Sequence, residues 1–149
     1  MPVFQAMGKS ITHVGDAGAG QVAKAANQIM VAAQMAALGE LLVFAQKAGV
    51  DPRKVVDAIK GGAAQCWALD VKPPRLFAGN RKPGFKAYMQ AKDMSIVMET
   101  AREYGVPLPS TATNTQLFQA MLQMNMADLD NSAVVGVIEA LAGTKLRQV

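Results

Sequence analysis

The sequence has almost none of the residues that hold a fold or a site together through covalent or metal bonds. It contains one cysteine, Cys66, and one histidine, His13, in 149 residues. A single cysteine excludes an internal disulfide, and with it the disulfide framework of small secreted domains. One Cys and one His are too few for a zinc site, and a histidine-based triad lacks its partners. No metal site is therefore predicted.

Aromatic and charged residues are scarce as well. Aromatic residues make up 5% and charged residues 17%, whereas hydrophobic residues reach 51% and include 10 methionines. This composition predicts one globular domain with a core of small aliphatic side chains and flexible methionines, which suits closely packed helices. The N-terminus lacks a basic segment followed by an apolar run, so no secretory signal is predicted. We expect a cytoplasmic protein.

Basic residues outnumber acidic ones, and the net charge is +4. Six of the 15 basic residues fall in one stretch: Lys72, Arg75, Arg81, Lys82, Lys86 and Lys92. This stretch is either a solvated loop and helix face or a rim that attracts an anion. A small anionic ligand fits the charge better than nucleic acid, although the Gly61-Gly62 link loosely resembles that of a helix-turn-helix. We expect no nucleic-acid partner.

Apolar spacing, glycine and proline divide the chain into predicted helices. A helical turn from Phe4 to Lys9 and a short strand from Ile11 to Val14 precede a glycine-rich link. One long helix then runs from Gln21 to Ala48. Further helices are predicted at 52–59 behind an Asp51 cap, 64–71, 88–104, 110–126 and 132–141, with a loop at 75–86. The predicted fold class is all-α, a helical bundle around one long central helix.

The long helix has two competing interpretations. Its length and apolar character also suit a membrane span, but Lys24, Asn27, Gln28 and Gln34 interrupt it, and Ala is more common in it than Leu. A buried central helix, surrounded by other helices and in part by those of a second subunit, is the better interpretation. We expect no membrane partner and a homodimer or higher homo-oligomer.

The segment from Gly18 to Ala23 satisfies the loose dinucleotide-binding pattern G-x-G-x-x-A. A Rossmann unit also needs a second strand within about 30 residues, ending in an acidic residue that binds the ribose. Here the helix continues instead, and Glu40 lies inside it. We interpret the segment as a flexible entry into the long helix.

Lys24 is the only charged residue between Asp16 and Glu40. Burial of an unpaired ammonium costs several kcal/mol or lowers its pKa, so a buried Lys24 would need a task or a partner. Asn27 and Gln28 lie on the same helix face, where an amine beside an amide can hold an oxygen and exchange its proton. Alternatively, Lys24 lies near the helix start and extends into water.

Four motifs, in order, carry a family resemblance. They are GAGQVAKAAN at 18–27, PGFKA at 83–87 with QAKDM at 90–94, LPSTAT at 108–113 and LDNSA at 129–133. Together they resemble the motifs of the β-hydroxyacid dehydrogenases, which include 3-hydroxyisobutyrate dehydrogenase and, more distantly, 6-phosphogluconate dehydrogenase. The last two motifs are most similar to the tartronate semialdehyde reductase (2-hydroxy-3-oxopropionate reductase) branch. The resemblance covers essentially the whole chain.

The resemblance implies a reaction in which a β-hydroxy acid and its semialdehyde interconvert, with NAD or NADP as the cofactor. It makes Lys24 the general acid/base at the reacting oxygen and places Lys92 near the cofactor. The substrate-binding residues that it implies are Asn27, Gln28, Phe85 and Trp67.

The resemblance also implies a domain organisation. Residues 1–15 are similar to the end of a Rossmann domain. Residues 16–149 would form an all-helical substrate and dimerisation domain like the C-terminal domain of 6-phosphogluconate dehydrogenase, with the N-terminal NAD(P)-binding domain absent. The isolated chain would then hold half of an active site and be inactive. The alternative is a helical oligomerisation module without chemistry of its own. The sequence does not indicate which β-hydroxy acid is the substrate, nor whether the cofactor is NAD or NADP.

Overall fold

The computed structural model describes residues 2–148, and every regular element in that part of the chain is helical. The elements are α1 (Pro2–Met7), α2 (Ala19–Lys47), α3 (Pro52–Ile59), α4 (Trp67–Val71), α5 (Pro73–Phe77), α6 (Ala87–Glu103), α7 (Pro109–Gln123), a 3₁₀ helix (Asn131–Val134) and α8 (Val135–Leu141). The predicted all-α class is confirmed.

Helix α2 is the central element, and its ends lie within two residues of the predicted ones. It begins after Gly18, whose φ of 95° lies in the left-handed region that glycine adopts without strain. Its buried residues extend from Gln28 to Ala45. The first two turns bury no side chain, so α2 enters the bundle only at Gln28.

The core consists of two clusters, and α2 contributes to both. One cluster joins α2 to α6, α7 and the 3₁₀ helix around Phe118, Met94 and Met121. The other joins α2 to α3, α4, α5 and the start of α8. A Cβ at Gly39 would lie 3.2 Å from the Val135 Cα, so the backbones of α2 and α8 approach closely there.

Among the described residues, α2 is the one helix long and apolar enough to cross a membrane by length and composition. Half of its most apolar stretch is buried inside the bundle. We therefore interpret it as a core helix, as the sequence predicted.

Three local predictions are wrong. Residues 11–14 form no strand and are exposed, because no second strand in the described chain pairs with them. The helix predicted at 64–71 begins only at Trp67. The predicted loop at 75–86 starts inside α5, since Pro73 and Pro74 occupy the first turn of that helix instead of ending the one before it.

Candidate active site

A cavity of about 420 Å³ opens beside the N-terminal half of α2. Four of the predicted site residues line it: Lys24, Gln28, Phe85 and Trp67. They come from α2, from the loop before α6 and from the start of α4. Residues separated by up to 61 positions in the sequence thus share one cavity wall.

Lys24 is held by a short chain of hydrogen bonds that joins α2 to α6. Its Nζ donates to Gln28 Oε1 at 2.7 Å, and Gln28 Nε2 donates to Asp93 Oδ2 at 2.7 Å. Gln28 is only 3% exposed, so the core fixes its amide. Because Gln28 lies one turn after Lys24, the amide directs the amine along the helix face that borders the cavity.

The structure combines the two interpretations of Lys24. The residue is exposed, like its neighbours in the first turns of α2, where no described side chain before Gln28 is buried. Its Nζ nevertheless borders the cavity and lies 6.0 Å from the centre of the Phe85 ring. Within residues 2–148 the amine is therefore positioned for a ligand without being removed from water.

Asn27 and Lys92 lie outside the set of residues that line the cavity. Asn27 is exposed, and its Nδ2 donates to Gln28 Oε1 at 2.8 Å. Lys92 is exposed on α6, where its Nζ lies 2.5 Å from Asp93 Oδ1. Both reach the site only through the Gln28–Asp93 contact, so their roles toward substrate and cofactor stay predictions.

Trp67, the only tryptophan, is 57% exposed. Its ring forms part of the cavity wall, and the Lys72 Nζ lies 5.3 Å from the ring centre. At this distance an ammonium is attracted to the face of an indole. Trp67 is therefore available to a ligand, and its role toward the substrate stays a prediction.

A buried ion pair that sequence reasoning missed lies directly behind the cavity. Lys72 Nζ donates to Asp130 Oδ1 at 2.7 Å, and the two side chains are 3% and 1% exposed. Burial by itself would raise the pKa of the Asp130 carboxyl. Hydrogen bonds from Lys72, Ser132 and the Gly84 amide outweigh it and hold that pKa at about 2. Asp130 is thus a carboxylate at neutral pH and Lys72 its partner.

The basic stretch does not form one anion-attracting rim. Lys72 and Arg75 border the cavity, whereas Lys86 pairs with Asp128 on the surface and Arg81 donates to the Leu76 carbonyl. Lys72 and Arg75 therefore fit the interpretation as an anion-attracting rim, and Lys86 fits the interpretation as a solvated face. Together with Lys24, Lys72 and Arg75 place three cations in the cavity wall, and no carboxylate among the described residues lines it.

Comparison with known proteins identifies the family to which the chain belongs. A family model described as "NAD-binding of NADP-dependent 3-hydroxyisobutyrate dehydrogenase" matches residues 18–138. The 2-hydroxy-3-oxopropionate reductase of Escherichia coli (strain K12) is 41% identical, over 97% of this chain and 50% of that protein. The 2-(hydroxymethyl)glutarate dehydrogenase of Eubacterium barkeri is 35% identical, over 97% of this chain and 48% of that protein.

A solved structure gives the same result. The crystal structure of 3-hydroxyisobutyrate dehydrogenase from Salmonella typhimurium superposes with a TM-score of 0.86 at 25% identity, covering 91% of this chain and 48% of that one. The chain thus spans about half the length of the curated relatives that it matches. The predicted family resemblance is confirmed, and the chain belongs to the 3-hydroxyisobutyrate dehydrogenase family of oxidoreductases.

Proposed function

We propose that the chain is the helical substrate domain of an enzyme that interconverts a small β-hydroxy acid and its semialdehyde. The observation that carries this proposal is the Lys24 amine in the cavity wall, held by the buried Gln28 amide. The name of the Escherichia coli relative supports tartronate semialdehyde and glycerate as the substrate pair. We propose the cytoplasm as the location of the enzyme.

The mechanism assigns one proton to Lys24. As the carbonyl carbon of the semialdehyde is reduced, Lys24 Nζ donates a proton to the carbonyl oxygen, and in the oxidising direction it takes that proton back. Gln28 Oε1 keeps Nζ at the cavity, and the Phe85 ring centre lies 6.0 Å from the amine. NAD or NADP, when bound, supplies the hydride-transfer chemistry.

The described residues fit such a cofactor only in part. The loop at Gly18 leads into α2 with no strand before it, so residues 2–148 lack a strand–turn–helix unit for the pyrophosphate. Lys92 offers an exposed ammonium on α6 that would contact the cofactor. The remaining contacts would come from the N-terminal domain that the family resemblance implies.

The isolated 149-residue chain is expected to lack turnover, because its residues alone do not hold the cofactor. Reduction of tartronate semialdehyde would be measured with NADH and with NADPH, for this chain and for a longer enzyme that joins it to the proposed N-terminal NAD(P)-binding domain. Turnover by the longer enzyme alone is the expected result, with circular dichroism verifying that the chain is helical. Robust turnover by the chain would contradict the half-site proposal. A longer enzyme inactive on short β-hydroxy acids would contradict the proposed reaction.

An oligomerisation role is the second candidate, and the surface of α2 favours it. Met30 and Phe44 on this helix are 59% and 75% exposed, and an apolar groove of about 340 Å³ follows α2 toward Ile59 and Cys66. A second copy of the chain would cover these side chains in a homodimer. This role is compatible with catalysis, and it becomes the whole function only if loss of Lys24 leaves turnover unchanged.

A further inference from the structure

The cavity wall contains two aromatic side chains, Trp67 and Phe85. Trp67 is the first residue of α4, whereas Phe85 lies in the loop before α6. Trp67 is mostly exposed and Phe85 is only partly buried, so core packing does not fully hold either ring. Their places at the cavity therefore depend on further contacts behind the wall.

Asp130 holds the segment that carries Phe85. Its Oδ2 accepts from the Gly84 amide at 2.8 Å and lies 3.5 Å from the Phe85 amide. The backbone adds another contact, because the Asn131 amide donates to the Phe85 carbonyl at 2.8 Å. Hydrogen bonds from backbone N–H groups to a carboxylate are charge-assisted and belong to the strong class. The loop before α6 is therefore attached to the buried carboxylate directly beside Phe85.

Lys72 connects the same carboxylate to Trp67. Its Nζ donates to Asp130 Oδ1 at 2.7 Å and lies 5.3 Å from the centre of the Trp67 ring. An ammonium at this distance is attracted to the face of an indole, and more strongly when it is desolvated, as Lys72 is at 3% exposed. One buried ion pair thus contacts both aromatic segments of the wall, through the backbone beside Phe85 and through the indole ring.

Stability alone is a weak reason for burying these two charges. Replacement of a buried ion pair by apolar side chains of similar size is often neutral or even stabilising. The contacts of the Lys72–Asp130 pair also lead to the cavity, since Lys72 borders it and Asp130 accepts from Gly84 in its wall. The proposed proton transfer uses Lys24 and leaves this pair without a task.

We propose that Lys72 and Asp130 are positioning residues that hold Trp67 and Phe85 at the cavity and so place the bound reactant against Lys24. This role rests on the proposed function, because it concerns the same cavity and the same reaction. The centre of the Phe85 ring lies 6.0 Å from the Lys24 Nζ, so a shift of this loop changes the wall next to the amine. A displacement of about 1 Å in a bound reactant can cost about 10²-fold in rate.

The combined substitution Lys72→Met and Asp130→Leu tests the positioning role. It avoids the buried unpaired charge that either substitution alone would leave, yet the Gly84 amide loses its acceptor and the indole loses its cation. Time-resolved fluorescence anisotropy of the 149-residue chain reports the mobility of Trp67 directly, because it is the only tryptophan. We expect a larger fast-decaying amplitude than in the wild type, with circular dichroism verifying that the variant is folded.

The kinetic part of the test uses an enzyme that joins this chain to the proposed N-terminal NAD(P)-binding domain. There the double variant should lower kcat for tartronate semialdehyde reduction by at least about tenfold. Lys72→Arg keeps a cation that pairs with a carboxylate and stacks on an indole, so it should retain most of kcat and of the wild-type anisotropy. A merely structural pair predicts wild-type anisotropy and kcat in every variant that folds.

The matched control is Lys86→Met with Asp128→Leu. This pair also joins an ammonium to a carboxylate at 2.8 Å and to an aromatic ring, with Lys86 Nζ 5.7 Å from the Tyr88 ring centre. It is exposed and does not line the cavity, so its removal should change neither the Trp67 anisotropy nor kcat.

The outcomes separate this role from the proposed reaction. Unchanged anisotropy in the folded double variant would overturn the positioning role whatever the turnover, and so would a wild-type kcat. Should the double variant not fold, Lys72→Met decides in the same way, because it keeps the hydrogen bonds of Asp130 with Gly84 and Ser132. A joined wild-type enzyme without turnover would overturn the proposed function and with it the placing of the reactant.

Discussion

Replacement of Lys24 with methionine, in an enzyme that joins this chain to the proposed N-terminal NAD(P)-binding domain, is expected to lower kcat by about 10²–10⁴-fold, the usual contribution of a positioned acid/base group. Methionine keeps a similar length and removes the proton that Nζ would donate. Lys24 is exposed and α2 buries no side chain before Gln28, so the substitution should leave folding unchanged. The measurement is steady-state reduction of tartronate semialdehyde, with kcat and KM determined separately.

Lys54→Met is the matched control for this experiment. Lys54 is an exposed lysine on α3 and does not line the cavity, so its loss should leave kcat unchanged and alter stability by no more than about 0.5 kcal/mol. Oligomeric state and helix content would be compared across the wild type and both variants. A kcat for Lys24→Met equal to that of Lys54→Met would reject the acid/base assignment and leave the oligomerisation role as the function.

The sequence predicts well the features that depend on local spacing. The period of the apolar residues defines α2 to within two residues at each end, and Asp51 caps α3 as expected, with its side chain accepting from the Arg53 amide. The contact between Lys24 and Gln28 follows from their separation by one helical turn. Each of these features is set by residues within about one helical turn of each other, so a single segment contains the necessary information.

The features that sequence reasoning missed depend on contacts between distant segments. Lys72 and Asp130 are 58 positions apart, and Gln28 and Asp93 are 65 apart. Charge counting left the stretch that contains Lys72 as either a solvated face or an anion-attracting rim, and neither interpretation pairs Lys72 with Asp130. No spacing rule connects such residues, because their partners are set by how α2, α6 and the 3₁₀ helix pack. The LDNSA motif contains Asp130, but only the fold shows that its partner is Lys72.

Asp130→Asn is expected to lower the free energy of unfolding by about 3–5 kcal/mol, the usual cost of breaking a buried ion pair by removal of one partner. Asparagine keeps the shape of the side chain, so the loss comes from charge and not from a cavity. The Lys72 ammonium, 3% exposed, would remain buried beside a neutral amide. The Gly84 amide and the Ser132 hydroxyl would also lose a charged acceptor.

Urea denaturation followed by circular dichroism measures this loss as a lower midpoint. Asp128→Asn is the matched control, because Asp128 is two residues away and pairs with Lys86 at 2.8 Å while 81% exposed. Exposed pairs contribute about 0–1 kcal/mol, so this variant should unfold close to the wild type. Equal midpoints for the two variants would mean that water reaches the Lys72–Asp130 pair and screens it.

The stability difference between the wild type and Asp130→Asn should depend on pH in a defined window. The folded-state pKa of Asp130 is about 2, below its ordinary value of 3.8. The unfolded chain therefore takes up this proton first as the pH falls, and the folded state loses the stabilisation that the carboxylate provides. That contribution is complete above about pH 4 and disappears as the pH falls through about 2. Other carboxyl groups titrate in both proteins, so the difference isolates Asp130.

Urea midpoints of the wild type and Asp130→Asn at pH 7, 4, 3 and 2 should therefore converge only below pH 4, because a protonated Asp130 leaves Lys72 unpaired just as asparagine does. A difference that persists undiminished at pH 2 would show that the carboxylate charge is not what stabilises the fold.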